Sequence, residues 1–188
     1  MRIKTTLRVR DKETEKKPFI YLTLFIIIIF SFIACRAKEL NNSPINIEGT
    51  ETNIIGMKEI IKIGHDTFIT SNSTKFNNYN VAFEDDTETG YFYAIDTNYE
   101  MPIQDALHIY NVKDVLDRNI PSEVIITWSK DGLKSILFIN NYPHAVIDFE
   151  NKKAYCRTGF PPHDIDSIWS SNGHSWDEEN YESIINME

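Results

Sequence analysis

The sequence predicts an α+β fold dominated by an antiparallel β-sheet meander, closed by a short C-terminal helix. Three observations carry this. Turn chemistry divides the second half into four strand-like runs: EVIITWS ends at Lys130-Asp131-Gly132, LKSILFIN at Asn140-Asn141-Tyr142-Pro143, HAVIDFE at Asn151-Lys152, and KAYCR follows. Upstream, NVAFED and GYFYAID flank an acidic loop and return on each other as a hairpin. The chain then ends in WDEENYESIINME, where Trp176, Tyr181, Ile184 and Ile185 form an apolar stripe. Ser175 suits its N-cap, and Asp177, Glu178 and Glu179 suit the positive end of its dipole.

The first forty residues carry a different signal. Residues 1–19 hold seven basic and three acidic side chains, and the uncharged run IYLTLFIIIIFSFIA follows. A basic region, an apolar region and the small Ala34 describe a secretory signal over residues 1–34. Phe32-Ile33-Ala34-Cys35 resembles a bacterial lipobox. That resemblance implies that Cys35 is lipidated and becomes the mature N-terminus. The alternative is an uncleaved anchor, on a run short of the roughly 20 apolar residues that span a bilayer. Either reading tethers the body to a membrane of the bacterial cell envelope. Arg36, where inner-membrane lipoproteins carry Asp, favours the outer membrane or periplasmic face by the same resemblance.

Residues 35–56 then read as the lipidated cysteine and a flexible tether rich in Asn, Thr, Ser and Gly. Residues 57–188 read as one α+β domain. MKEIIKIG fits a strand or a helical turn, DTFITSN a strand, DALHIYNV a strand or short helix, and KDVLDRN one helical turn. In LKSILFIN apolar residues fall on both faces, which predicts a central strand covered on both sides. GFPPHDIDSIWSSNGHS is irregular because Pro161-Pro162 and Asn172-Gly173 interrupt it.

Residues 36–188 carry twelve basic and twenty-five acidic side chains. Such an acidic body argues against nucleic acid, whose phosphates need Lys and Arg, and suits a basic protein partner. No GxSxG, P-loop, GxGxxG, HExxH or CxxC pattern occurs, so no motif nominates a cofactor or a catalytic residue. Cys156, with Cys35 acylated, reads as a small buried hydrophobe.

Three polar groupings stand out. Glu84, Asp85, Asp86 and Glu88 crowd the loop before Gly90. Counted as a calcium loop from Asp85, positions three and five are Thr87 and Thr89, poor ligands, so the plain reading is a hairpin tip with Gly90 supplying a positive φ. The carboxylates then face water and offer a contact surface to a basic partner, with Tyr91 and Tyr93 as aromatic anchors. His163, Asp164, Asp166, His174 and Asp177 have the ligand types for zinc without its tight spacing; the plain reading is a loop pinned by Trp169 and Trp176. His144 and Asp148 share a strand face and suggest a general base with its carboxylate, against a plain role in holding a turn. His108 in DALHIY is weighed the same way.

FEDDTETGYFYAID, then DALHIYNV, then WSKDGLKSILFINNYPHAVIDFENKKAYCRTGFPP, over about Asn80 to Trp176, resembles a small bacterial family of uncharacterised proteins. The family carries Gly where Thr87 stands here. Relatives similar in size and acidity to toxin-immunity proteins imply a binding role, and the resemblance supplies no catalytic residues. The expected function is a membrane-anchored lipoprotein with an acidic macromolecule-binding domain, of immunity or inhibitor type. The alternatives are an envelope metal-binding protein or hydrolase using His and Asp of the C-terminal half, and a structural envelope component.

Overall fold

A computed structural model describes residues 53–185. The leader, Cys35 and most of the tether lie outside the described residues. Among the described residues, nine strands form two antiparallel sheets. The larger contains β1 (Asn53–Ile61), β6 (Ser122–Ser129), β7 (Lys134–Ile139), β8 (Tyr142–Asp148) and β9 (Lys153–Cys156), in the order β1-β6-β7-β8-β9. The smaller contains β2 (Thr67–Asn72), β3 (Tyr79–Asp85), β4 (Thr89–Asp96) and β5 (Ile103–Asn111), in chain order. A helix, α1 (Glu178–Ile185), follows.

Alternation builds the smaller sheet. In β4, Phe92 and Ala94 are fully buried while Tyr91, Tyr93 and Ile95 are half-buried. The buried set meets Val81, Phe83, Leu107 and Ile109 from its own sheet and Val124, Ile126, Leu137, Ala145 and Ile147 from the other. Every side chain of β7 is buried, because that strand is covered on both faces. Its inner residues join the core between the sheets. Its outer residues Ile136 and Phe138 join Ile125, Val146, Tyr181 and Ile184 beneath α1. An eight-residue helix is marginal alone. Its stability comes from this contact, where each fully buried aliphatic or aromatic side chain contributes about 1.5–3 kcal/mol. Trp128 ties the layers together: it stacks on Phe149 at 5.8 Å and donates its indole N–H to Ser71 Oγ at 3.0 Å.

The predicted meander is β6 to β9, and its turns explain their own residues. Asn140 and Asn141 both have positive φ, 52° and 62°, and form the two-residue turn whose twist matches antiparallel strands. Gly132 (φ 72°) and Lys152 (φ 51°) serve the flanking hairpins. Several expectations need correction. Tyr142 and Pro143 belong to β8 rather than to the turn, since two residues suffice for the reversal. Of the two readings open for DALHIYNV, the strand holds through Asn111, and Val112–Asp114 form a 3-10 turn. β1 begins at Asn53, inside the segment read as tether. The cap of α1 is Asp177, whose Oδ1 accepts the Asn180 amide at 3.0 Å, and not Ser175.

Gly90 does not supply the positive φ of the acidic hairpin; Thr87 does, at 80°. Gly90 lies in β4 opposite Tyr110, and a Cβ there would sit 2.6 Å from the Tyr110 ring. The glycine is needed for a ring and not for a turn.

Candidate functional site

The acidic hairpin is built largely by its own carboxylates. Asp85 is fully buried. Its Oδ2 accepts the Gly64 amide at 2.7 Å and the Tyr110 hydroxyl at 2.8 Å, and its Oδ1 accepts the Thr87 amide at 2.9 Å. Burial, then the bond to Asp85, push the Tyr110 phenol well above its ordinary pKa. Asp86 is exposed and organises the tip: Oδ1 accepts the Glu88 amide at 2.9 Å and the Thr89 amide at 2.6 Å. Those backbone donors, Thr89 first, hold its carboxyl below the usual range. Glu88 is exposed. It borders a cleft of about 390 Å³ that also contains Lys113 and Arg118, so the tip is less uniformly acidic than its sequence. Of the four acids, Glu84, Asp86 and Glu88 reach the surface, and Asp85 belongs to the core.

Glu84 points to the outer face of the smaller sheet. Its Oε2 accepts the Tyr93 hydroxyl at 2.6 Å, and burial followed by this bond raises the Tyr93 pKa strongly. Register places Tyr91 opposite both Glu84 and His108. Tyr91 stacks on Tyr93 at 6.0 Å and meets His108 edge-on at 5.4 Å; His108 meets Phe160 edge-on at 5.9 Å. A continuous row, Tyr93-Tyr91-His108-Phe160, therefore crosses this face. Its members Tyr91, Tyr93 and His108 are half-buried, and the helix α1 packs on the outer face of the larger sheet instead. Tyr91 and Tyr93 are legible in the sequence because they alternate with buried Phe92 and Ala94. Phe160 is not: it arrives from the irregular segment, where its carbonyl accepts the His108 amide at 3.1 Å.

A buried ion pair fastens that segment. His174 is 1% exposed and Asp105 8%. His174 Nε2 lies 2.8 Å from Asp105 Oδ2, and Nδ1 lies 2.7 Å from the Pro161 carbonyl. Protons on both ring nitrogens, as in an imidazolium, would satisfy both acceptors. Burial opposes that charge, but the bond and charge of Asp105 and the Pro161 carbonyl outweigh it and raise the pKa above the ordinary value. With both nitrogens engaged, His174 has no position left for zinc, and the predicted His163–His174 grouping resolves into a structural lock. Trp169 pins the same segment against Phe149 at 5.6 Å.

His144 and Asp148 do not work together. Asp148 accepts the Asn151 backbone and side-chain amides at 3.0 and 2.8 Å and shapes the β8–β9 turn. Residues four apart on a strand lie about 13 Å apart, beyond direct contact. Cys156 is fully buried, with its Sγ 3.3 Å from Thr158 Oγ1 and from the Phe160 carbonyl. Among the described residues no three His, Cys, Asp or Glu side chains are grouped to hold a metal, and no helix is long and apolar enough to cross a membrane.

Residues 61–185 match the bacterial family DUF2251, described as an uncharacterized protein conserved in bacteria. The chain belongs to the DUF2251 family. The match covers both sheets except most of β1, and it includes the aromatic row and the Asp105–His174 lock. A relative from Haemophilus influenzae, named as an uncharacterized protein, is 37% identical over 115 residues, 61% of this chain and 71% of its own length. No solved structure matches the chain.

Proposed function

We propose that this protein is a lipid-anchored envelope protein whose acidic domain binds a basic protein partner, as an immunity- or inhibitor-type module. The observation that supports the reading is the Tyr93-Tyr91-His108-Phe160 row, its first three members half-buried, on the outer face of the smaller sheet, with Glu84 bonded to Tyr93 within it. Tyrosines concentrate binding energy because they bury large, stiff surfaces at small entropic cost. Acidic groups around them steer a basic surface toward the row, and salt screens that steering.

The test is capture by the full chain, purified in detergent, from envelope extracts at low and high salt. The expected result is a basic protein in stoichiometric amount whose association slows when Glu84→Gln, Asp86→Asn and Glu88→Gln are combined. An association rate unaffected by both salt and the triple change would remove the acids from the account. The anchor is tested separately. Cells fed labelled palmitate should label the wild-type chain and not Cys35→Ser; equal labelling of both would exclude lipidation at Cys35.

A further inference from the structure

Glu84 lies between two aromatic side chains on the outer face of the smaller sheet. Register sets Phe68 of β2 opposite it on one side and Tyr91 of β4 opposite it on the other. Directly opposed residues of antiparallel strands share a face, so the three side chains project together. The burial of β2 agrees: Ile69 and Ser71 are buried, and Phe68, Thr70 and Asn72 are exposed. One exposed phenylalanine needs no explanation by itself. Phe68, however, is 64% exposed directly beside a half-buried carboxylate, with a tyrosine on the far side.

That carboxylate is held in place but not neutralised. Tyr93 donates its hydroxyl to Oε2 at 2.6 Å. Among the described residues Glu84 forms no ion pair and accepts no other hydrogen bond. An ionised carboxylate has about four accepting positions, so most of its capacity is open. Neighbouring strands lie about 4.8 Å apart, which sets the strands of Phe68 and Tyr91 about 9.6 Å apart with Glu84 between them. A cation seated on the carboxylate is then about 5 Å from either flank, inside the roughly 6 Å reach of a cation–π contact.

We propose that this face takes up an arginine side chain of its protein partner, with the guanidinium forked on the Glu84 carboxylate between the Phe68 and Tyr91 rings. The inference rests on the protein-binding reading and names the group through which it acts. A guanidinium is planar, meets a carboxylate with two parallel N–H donors, stacks on aromatic faces and is more weakly hydrated than an ammonium. Lysine brings the same charge as a strongly hydrated point, with neither fork nor plane. An apolar side chain would cover Phe68 but strip water from the Glu84 charge without replacing it.

The probe is the peptide acetyl-Gly-Arg-Gly-amide, with lysine or citrulline in place of arginine as the charged non-planar and the planar neutral counterparts. The nine tyrosines of the full chain, labelled with carbon-13 in the ring and kept in detergent, give the readout, and the Tyr91 signal is identified by its absence in Tyr91→Phe. The arginine peptide is expected to shift the Tyr91 signal saturably, and the lysine and citrulline peptides to bind at least about threefold more weakly. Glu84→Gln, which keeps an acceptor for Tyr93, and Phe68→Ala, at an exposed position, should each weaken the arginine peptide by about threefold to tenfold. No saturable shift at Tyr91, equal or tighter binding of either counterpart, or an unchanged affinity in Glu84→Gln or Phe68→Ala would each overturn the proposal. Capture from envelope extracts separates it from the reading beneath it. A basic partner held equally by wild type and Phe68→Ala overturns the arginine contact and leaves the protein-binding reading in place. Arginine-selective binding with no captured partner supports the contact and counts against that reading alone.

Discussion

Asp105→Ala is expected to destabilise the domain by about 3–5 kcal/mol, because it strands a buried imidazole whose Nε2 is then left with only Ser170 Oγ, at 3.5 Å. Asp105→Asn should cost less. A neutral His174 can keep its N–H on the Pro161 carbonyl and accept the new amide at Nε2, so the geometry survives without the charge. The two variants separate through pH. His174 has its folded pKa raised above the ordinary value near 6.5. The stabilisation is therefore complete below about pH 6.5 and lost as pH rises through the folded value. Urea denaturation of wild type should show stability falling across that window, and Asp105→Asn should lack this component. A cost below about 1 kcal/mol for Asp105→Ala, or parallel pH profiles for wild type and Asp105→Asn, would refute the ion pair as the lock of the Phe160 segment.

Asp85→Ala should be the most damaging single change in the acidic hairpin. It removes the acceptor for the Gly64 and Thr87 amides and the Tyr110 hydroxyl at once, at a fully buried position. Each stranded buried donor costs about 1–3 kcal/mol, so a loss of about 3 kcal/mol or more is expected even with partial relaxation. Asp86→Asn, one residue on, keeps the Oδ1 acceptor at an exposed site and should leave the melting temperature close to wild type. Thermal unfolding of the two variants side by side decides the matter. Equal effects would mean that the four carboxylates act as one solvated cluster, and that the division into a core acid and surface acids is mistaken.

That division marks the limit of what periodicity conveys. Alternation in GYFYAID separates Tyr91 and Tyr93 from Phe92 and Ala94, so the outward tyrosines are legible from the chain. Turn residues such as Asn140-Asn141 announce the meander for the same local reason. Asp85 and Asp86 are adjacent acids with opposite fates, and only the arrival of Tyr110 and Gly64 from elsewhere in the fold separates them. The sequence likewise offers Asp105 and His174 sixty-nine residues apart with nothing linking them. Spacing suggests His144 with Asp148, while the turn at Asn151 occupies the Asp148 carboxylate. Gly90 shows the same lesson on the backbone: glycine before an aromatic run suggests a turn, yet the constraint is the ring across the ladder.

Recognition of a basic protein is proposed for the aromatic face of the smaller sheet. The most direct measurement compares capture from envelope extracts by the wild-type full chain and by Tyr91→Ala/Tyr93→Ala, at low and high salt, with both proteins shown to be folded by their unfolding curves. A stoichiometric basic partner is expected, retained less at high salt, whose affinity falls at least about tenfold in the double variant. No partner at either salt, or a partner held equally by both proteins, would contradict it.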